Sequence, residues 1–443
     1  MSDDPVYDSR PWSERVRFDP RGGFAYVPNT AIVRDSGVDY EILNGVLADG
    51  ESLDFVDEPT KEFRTLRGRF DAIRVVAHLR AKGLDAQPDH VLFAHGATCC
   101  CCGPHPATCF DAMLGANPLH ANPLHANPLH ANPLHANPLH ANPLHANAAD
   151  PNGPTRSSAR PADTPGWYSG SSSTGTPAVA TGSPQVVVLD TGLAGAADLP
   201  EFLGGAPGVT SGSASVDVPD ANGDNWLDPV AGHGTFIAGI IERIAPACTV
   251  EVRRVLGPQG EASESSVVAA IEDTANRQDR PDFLSLSFGG YVWERAPLLS
   301  TAVLLAQQRG IVVVASAGND GTCRQSFPAA IPGVVSVGAI GPDGPAWFSN
   351  YGSWVRACAP GMDVVSSFFA TFDGNEVPSG GRDIDRFRSW ATWSGTSFSA
   401  PVVVGALARE MRVSGCSPTE AVLRLIDAPW LGRIPGLGTV VNV

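Results

Sequence analysis

Lysine is nearly missing from this chain of 443 residues: only Lys61 and Lys82 are present, and the other 28 of its 30 basic residues are arginine. None lies between Pro184 and Val443, so chemistry built on a lysine base is excluded from that stretch. Histidine is as scarce there, with His233 the sole imidazole. No apolar run reaches the roughly 18 residues needed to cross a bilayer. The first thirty residues, opening Met-Ser-Asp-Asp-Pro, have neither a basic start nor an apolar core. No secretory leader is visible, and cytoplasmic residence is expected, with leaderless export as the other route. Positive charge is in deficit, the formal net charge being −16, which argues against nucleic acid and anionic membrane as partners.

What residues 184–443 do contain is a set of short motifs. Val186 to Leu189 reads as a buried parallel strand, and Thr191-Gly192 then turns the chain. Asp190 thus stands at the carboxyl end of a strand, where open α/β sheets present functional groups. His233 is flanked by glycines in Gly-His-Gly-Thr-Phe-Ile-Ala-Gly, ahead of a helical apolar pattern. Ser397 lies in Ser-Gly-Thr-Ser-Phe-Ser-Ala-Pro, small residues before a helix whose amino end favours negative charge. A serine hydroxyl is a weak nucleophile until a base takes its proton and a third group orients that base. Val312 to Gly321 reads as another buried strand ending in a glycine-rich turn, with Asn319 at its tip.

Asp190, His233 and Ser397, in that order, make residues 184–443 resemble the subtilisin-like serine proteases. The resemblance implies an α/β fold, a mostly parallel sheet with helices on both faces. It implies a serine endopeptidase acting on protein or peptide substrates with no required cofactor. Ser397 would attack, His233 would transfer the proton, Asp190 would orient the ring, and Asn319 with the Ser397 N–H would hold the oxyanion. Ser287, Phe288, Gly289 and Gly290 correspond to the segment that aligns an extended peptide by strand addition. Gly289 and Gly290 would line one wall of the pocket for the residue before the scissile bond. Ala317 and Gly318 would line the other wall, with Ser326 at the base and Phe288 directed to a more distant apolar subsite. No acidic group falls at that base, so a medium or large uncharged side chain is expected there. Two positions depart from the family pattern: Phe236 replaces a common histidine, read as a packing change, and Phe398 replaces a common methionine, leaving no thioether to oxidise. The other reading is a non-catalytic peptide-binding or metal-collecting scaffold that kept the fold.

Further features surround this core. Asp220, Asn222, Asp224 and Asp228 place oxygen ligands at alternating positions suited to calcium, without a closing glutamate at the twelfth. Cys99 to Cys102, with His105 and Cys109, could bind a soft metal but lack zinc-site spacing. Cys323 and Cys358 could pair, although buried thiols are favoured in a reducing compartment. Ala-Asn-Pro-Leu-His recurs six times from Ala116 to His145; its prolines prevent a regular helix and favour an extended spacer, and its histidines could collect metal. Asn147 to Ser183 reads as flexible linker. Regions 1–110, 111–183 and 184–443 follow as a small α/β amino-terminal region, a repeat with linker, and the protease-like part. In the first, Tyr40 to Leu47 reads as a strand, Asp71 to Lys82 as a helix and Pro88 to Gly96 as a closing strand. That succession resembles the inhibitory propeptides of subtilisin-like enzymes, and equally an unrelated α/β unit. As a propeptide it would inhibit within its own chain, adding a strand at Ser287 to Gly290.

Overall fold

A computed structural model describes residues 15–35, 40–57, 62–94, 182–211, 215–223, 225–374 and 386–443. The cysteine cluster, the pentapeptide repeat and most of the linker lie outside these residues, as do the expected boundaries near 110.

The amino-terminal part runs β1 (Arg17–Asp19), β2 (Phe24–Arg34), α1 (Tyr40–Asn44), β3 (Ser52–Asp57), β4 (Phe63–Arg69), α2 (Ala72–Ala81) and β5 (Ala86–Ala94). Its strands form an antiparallel sheet in the order β5-β2-β4-β3, with β1 on β2. Asp71 caps α2 by accepting the Arg74 N–H at 2.9 Å, and Val75, Val76 and Leu79 face the sheet, as the helical period requires. The segment read as a strand at Tyr40 opens instead as helix α1. Leu43 and Val46, three residues apart, are buried against the α2 face together, a spacing a helical turn satisfies and an alternating strand does not.

The second part is built on β6 (Gln185–Asp190), β7 (Leu193–Ala194), α3 (Glu201–Gly204), β8 (Val209–Ser211), β9 (Val216–Asp217), α4 (His233–Ile244) and β10 (Thr249–Arg254). It continues through β11 (Glu261–Ser263), α5 (Glu264–Asn276), β12 (Phe283–Leu286), β13 (Phe288–Gly289), α6 (Pro297–Gln308), β14 (Val312–Ser316) and β15 (Val335–Gly341). The last stretch holds β16 (Gly344–Pro345), β17 (Ala357–Pro360), β18 (Val364–Ser367), β19 (Phe372–Asp373), β20 (Arg386–Phe387), β21 (Trp390–Trp393), α7 (Thr396–Ser414), α8 (Pro418–Val422), β22 (Arg433–Ile434) and β23 (Gly438–Val440). The main sheet has the order β22-β23-β17-β15-β14-β12-β6-β10-β8 and is parallel except at β22 and at the β16 hairpin. Side chains of β6 alternate between two cores: Val186 and Val188 pack with α4 and α7, Val187 and Leu189 with α5 and α6. Helices therefore cover both faces, and the short strand β23 closes the parallel run beside β17. Among the described residues no helix is long and apolar enough to cross a membrane.

The two parts share a sheet. Strand β5 lies between β11 and β13, antiparallel to both: Leu92 faces Ala262, Phe93 faces Glu261 and Gly289, and Ala94 faces Phe288.

Candidate active site

Asp190 ends β6, and its carbonyl accepts N–H groups from Val255 at 2.8 Å and Leu256 at 3.1 Å, which anchor the strand end. Its Oδ1 accepts the Thr191 N–H at 2.8 Å and pairs with His233 Nδ1 at 2.7 Å. Both side chains are fully buried. His233 opens α4 behind Gly232, whose φ of 78° is left-handed and whose added Cβ would sit 2.3 Å from Phe368. An added Cβ at Gly234 would sit 2.2 Å from the Gly192 carbonyl, so only glycine lets the histidine turn approach the aspartate turn this closely.

The imidazole is boxed by aromatic rings. Trp393 meets it edge-on at 5.5 Å and Phe398 at 5.4 Å, while Phe236 contacts Phe398 at 4.6 Å. The two departures from the family pattern, Phe236 and Phe398, thus touch each other and fill one space.

Ser397 is the second residue of α7. Its hydroxyl donates to the Ser287 carbonyl at 2.9 Å, and the Ser287 hydroxyl donates back to the Ser397 carbonyl at 2.9 Å. Pro401 explains why that carbonyl is free: four residues on, it has no N–H to return to it. The expected serine–histidine hydrogen bond is not made. His233 Nε2 has no hydrogen-bond partner, and Ser397 Oγ must rotate away from Ser287 to reach it.

Asn319 follows β14 and is buried beside Ser397. Its Oδ1 accepts both the N–H and the hydroxyl of Thr396, each at 2.9 Å. A backbone N–H can only donate, so this end of the amide is the oxygen and the NH₂ is turned away from Thr396. Asn350 was not legible in any motif: its Nδ2 donates to the Ala317 carbonyl at 3.0 Å and its Oδ1 accepts from Asp320 at 3.0 Å and Thr322 at 3.2 Å. It ties down the turn that carries Asn319.

Of the substrate-segment residues, Gly289 and Phe288 pair with β5, and Gly290 exchanges two 2.9 Å backbone hydrogen bonds with Phe327, bringing Ser326 alongside. Ala317 and Gly318 continue from β14, with Gly318 accepting the Asn350 N–H at 2.9 Å. Phe288 is wholly buried in a cluster that includes Leu92, Ala94, Ala262 and Val267, so its apolar surroundings hold side chains of β5.

Polar groups of β5 also reach the starts of two helices, Asp89 at α5 and Gln87 at α6, where Gln87 Oε1 accepts the Leu298 N–H at 3.4 Å. Asp89 accepts the Ser265 N–H at 3.0 Å and its hydroxyl at 2.7 Å at the start of α5. Burial pushes the Asp89 carboxyl up to about 6, against the pull of the Ser265 bonds. Glu264 accepts Leu299 N–H at 3.0 Å, Gln87 Nε2 at 2.7 Å and His90 Nδ1 at 2.6 Å, while His90 Nε2 accepts the Trp293 N–H at 3.0 Å. Helix α6 has no capping side chain of its own, and Glu264 serves its first turn.

In the acidic loop, Asp220 accepts N–H groups of Gly223 and Asn225, each at 2.7 Å, and Asp228 accepts that of Ala221 at 2.8 Å. Asp224 lies outside the described residues, and among those described no group of three His, Cys, Asp or Glu side chains could hold a metal ion. Cys358 is buried and Cys323 exposed, both as free thiols, so the expectation of buried thiols holds for Cys358 and not for Cys323.

Residues 182–420, more than half of the chain, match the family model of the Subtilase family. The chain belongs to that family. It is 31% identical over 261 residues to the cuticle-degrading serine protease of Arthrobotrys oligospora, covering 57% of this chain and 58% of that protein. It is 33% identical over 234 residues to subtilisin Savinase of Lederbergia lenta, covering 51% and 74%. Among solved structures it is similar to a cold adapted subtilisin-like serine proteinase, at 27% identity and a TM-score of 0.43 over 58% of this chain and 86% of that one. This subtilase spans 58% and 51% of the lengths of two curated relatives, the second being the thermophilic serine proteinase of a Bacillus species.

Proposed function

We propose that the protein is a serine endopeptidase that hydrolyses extended protein segments and is held latent by its own amino-terminal part. The observation that carries the hydrolytic reading is the buried 2.7 Å contact between His233 Nδ1 and Asp190, which leaves Nε2 as the ring nitrogen without a hydrogen-bond partner. Asp190 holds the imidazole in the tautomer with its proton on Nδ1, so Nε2 is the basic nitrogen. On turning from Ser287, the Ser397 hydroxyl gives its proton to Nε2 as Oγ attacks the carbonyl carbon. Negative charge gathers on the carbonyl oxygen, which the Asn319 NH₂ and the Ser397 N–H at the amino end of α7 receive. His233 then protonates the leaving amine, the acyl–Oγ ester remains, and water activated by the same nitrogen hydrolyses it.

Latency is supported by the pairing of β5 with β11 and β13, where an extended substrate would add as a strand. Leu92 and Ala94 share the cluster of Phe288 and Ala262, so a substrate with a large aliphatic side chain at the Leu92 position fits the same surroundings. The protein or peptide substrate is thus read as a competitor of β5. An active-site-directed fluorophosphonate tests the assignment: the protein, freed of residues before about 150 to relieve latency, is expected to be labelled at Ser397, and Ser397→Ala to lose both label and casein cleavage. Label persisting on the Ser397→Ala protein refutes it.

A further inference from the structure

Asp217, the last residue of β9, takes no part in the hydrolytic steps above, yet it is buried between the two turns that deliver Asp190 and His233. Its Oδ2 accepts the Thr191 hydroxyl at 2.6 Å and the Gly232 N–H at 2.8 Å. Thr191 directly follows Asp190, and Gly232 directly precedes His233. The Thr191 oxygen in turn accepts the Gly234 N–H at 3.0 Å, from the residue after the histidine. An N–H can only donate, so the Thr191 hydroxyl has its proton free for Asp217, and both bonds converge on one carboxylate oxygen. Helix α4 has no side-chain cap at Gly232, which makes Asp217 the acceptor for that N–H. Strand β9 is itself seated on the Asp190 turn: Asp217 pairs with Ala194 of β7, and Leu193 donates to the Ser215 carbonyl at 2.9 Å.

We infer that Asp217 is a positioning residue of the hydrolytic site, one carboxylate oxygen that locks the turn after Asp190 to the turn around His233 and so sets the Asp190–His233 contact. This rests on the endopeptidase reading. Removing the carboxylate would leave the Gly232 N–H and the Thr191 hydroxyl buried without their acceptor and let the two turns drift apart.

The lock responds to pH. The charged groups that face Asp217 are Arg254 of β10 and Asp190 of β6; the β7 residues beside it, Leu193 and Ala194, are apolar. Burial raises its carboxyl to about 7, with Asp190 adding to the rise and the Thr191 and Gly232 bonds and Arg254 opposing it. The carboxylate therefore forms as pH climbs through about 7, and a charged acceptor grips both donors more tightly than a neutral one. Asp217 should add one ionisation to the acid limb of the activity profile.

The test uses wild type, Asp217→Asn and Asp217→Ala, each with the linker cut between Asn147 and Ser183 and the amino-terminal part removed to relieve latency. Fluorophosphonate uptake counts competent sites, and hydrolysis of one fluorogenic peptide is followed from pH 5 to 9. Asp217→Ala is expected to lower kcat per competent site about a hundredfold with KM changed less than about twofold, the size of effect that misplacing a base produces. Asp217→Asn keeps an amide oxygen for both donors and is expected to stay within about fivefold of wild type at pH 8, with the Asp217 ionisation gone from its acid limb. If Asp217→Ala keeps the wild-type kcat and profile per competent site, and loses only melting temperature, the positioning role is overturned. Wild type that takes up no label even without its amino-terminal part overturns the endopeptidase reading itself, a result separable from any difference among variants.

Discussion

Asn319 has one orientation available, because Thr396 presents a donor to its oxygen. Replacing it with alanine removes the NH₂ proposed to receive the oxyanion and leaves the Asp190–His233 contact alone. Asn319→Ala is expected to cut kcat by roughly 10²–10³ with little change in KM, read from steady-state kinetics on a peptide substrate. A rise in KM at unchanged kcat would instead make Asn319 a binding residue. Phe398 has a different test. It packs on His233 and Phe236 with no sulfur, so Phe398→Met conserves volume and should cost less than about 1.5 kcal/mol in thermal unfolding. The same change should create sensitivity to peroxide that the wild type lacks, since a thioether can be oxidised to a polar sulfoxide. Equal loss of activity by both proteins in peroxide would count against this.

At the scale of the element, β5 does two things at once: its backbone completes a sheet with β11 and β13, and its Asp89 and Gln87 side chains accept N–H groups at the starts of α5 and α6. Docking the strand buries Asp89, whose carboxyl rises from 3.8 to about 6. The docked form therefore holds its proton more tightly than the released form. Docking is at full strength below about pH 4 and weakens as pH rises through about 6, by up to about a hundredfold in affinity. Inhibition by the amino-terminal part, measured after the linker is cut, should weaken between pH 5 and 7, and Asp89→Asn should flatten that dependence. Dependence unchanged in Asp89→Asn would assign it to another group. Leu92→Asp puts a charge into the Phe288 cluster and should release activity in the uncut chain, read as faster hydrolysis of the same peptide.

The two parts have a core each and share another: Val75, Val76 and Leu79 serve the small sheet, while Ile32, Phe63, Leu92 and Ala94 join the cluster on one face of the parallel sheet. A tether between such parts gives an effective concentration near millimolar, so even a weakly docking inhibitor stays seated until the tether is cut. The full chain should therefore hydrolyse a fluorogenic peptide more slowly than a chain starting near Gly182, and residues 1–110 added separately should slow the latter. Equal rates, with no inhibition by the added segment, would leave recruitment or localisation as the role of the amino-terminal part.

Much of this was legible in local chemistry. The apolar run before Asp190, the glycines around His233 and the small residues before Ser397 each dictate a backbone that only a strand end, a tight turn or a helix start provides, and the parallel sheet is what the resemblance carried by those motifs implies. Helix α2 was legible for the same reason, from period and cap. The Tyr40 segment was not, because five residues fit two periods equally and only packing of Leu43 and Val46 on α2 chooses between them. Nor could sequence show that Ser397 rests on the Ser287 carbonyl, that β5 reaches the starts of α5 and α6, or that Asp217 receives both Thr191 and Gly232. Those are contacts between segments distant in the chain, each polar group paired only where burial leaves it no water. Such pairing depends on which surfaces the fold brings together, and that was decided by the tertiary structure alone.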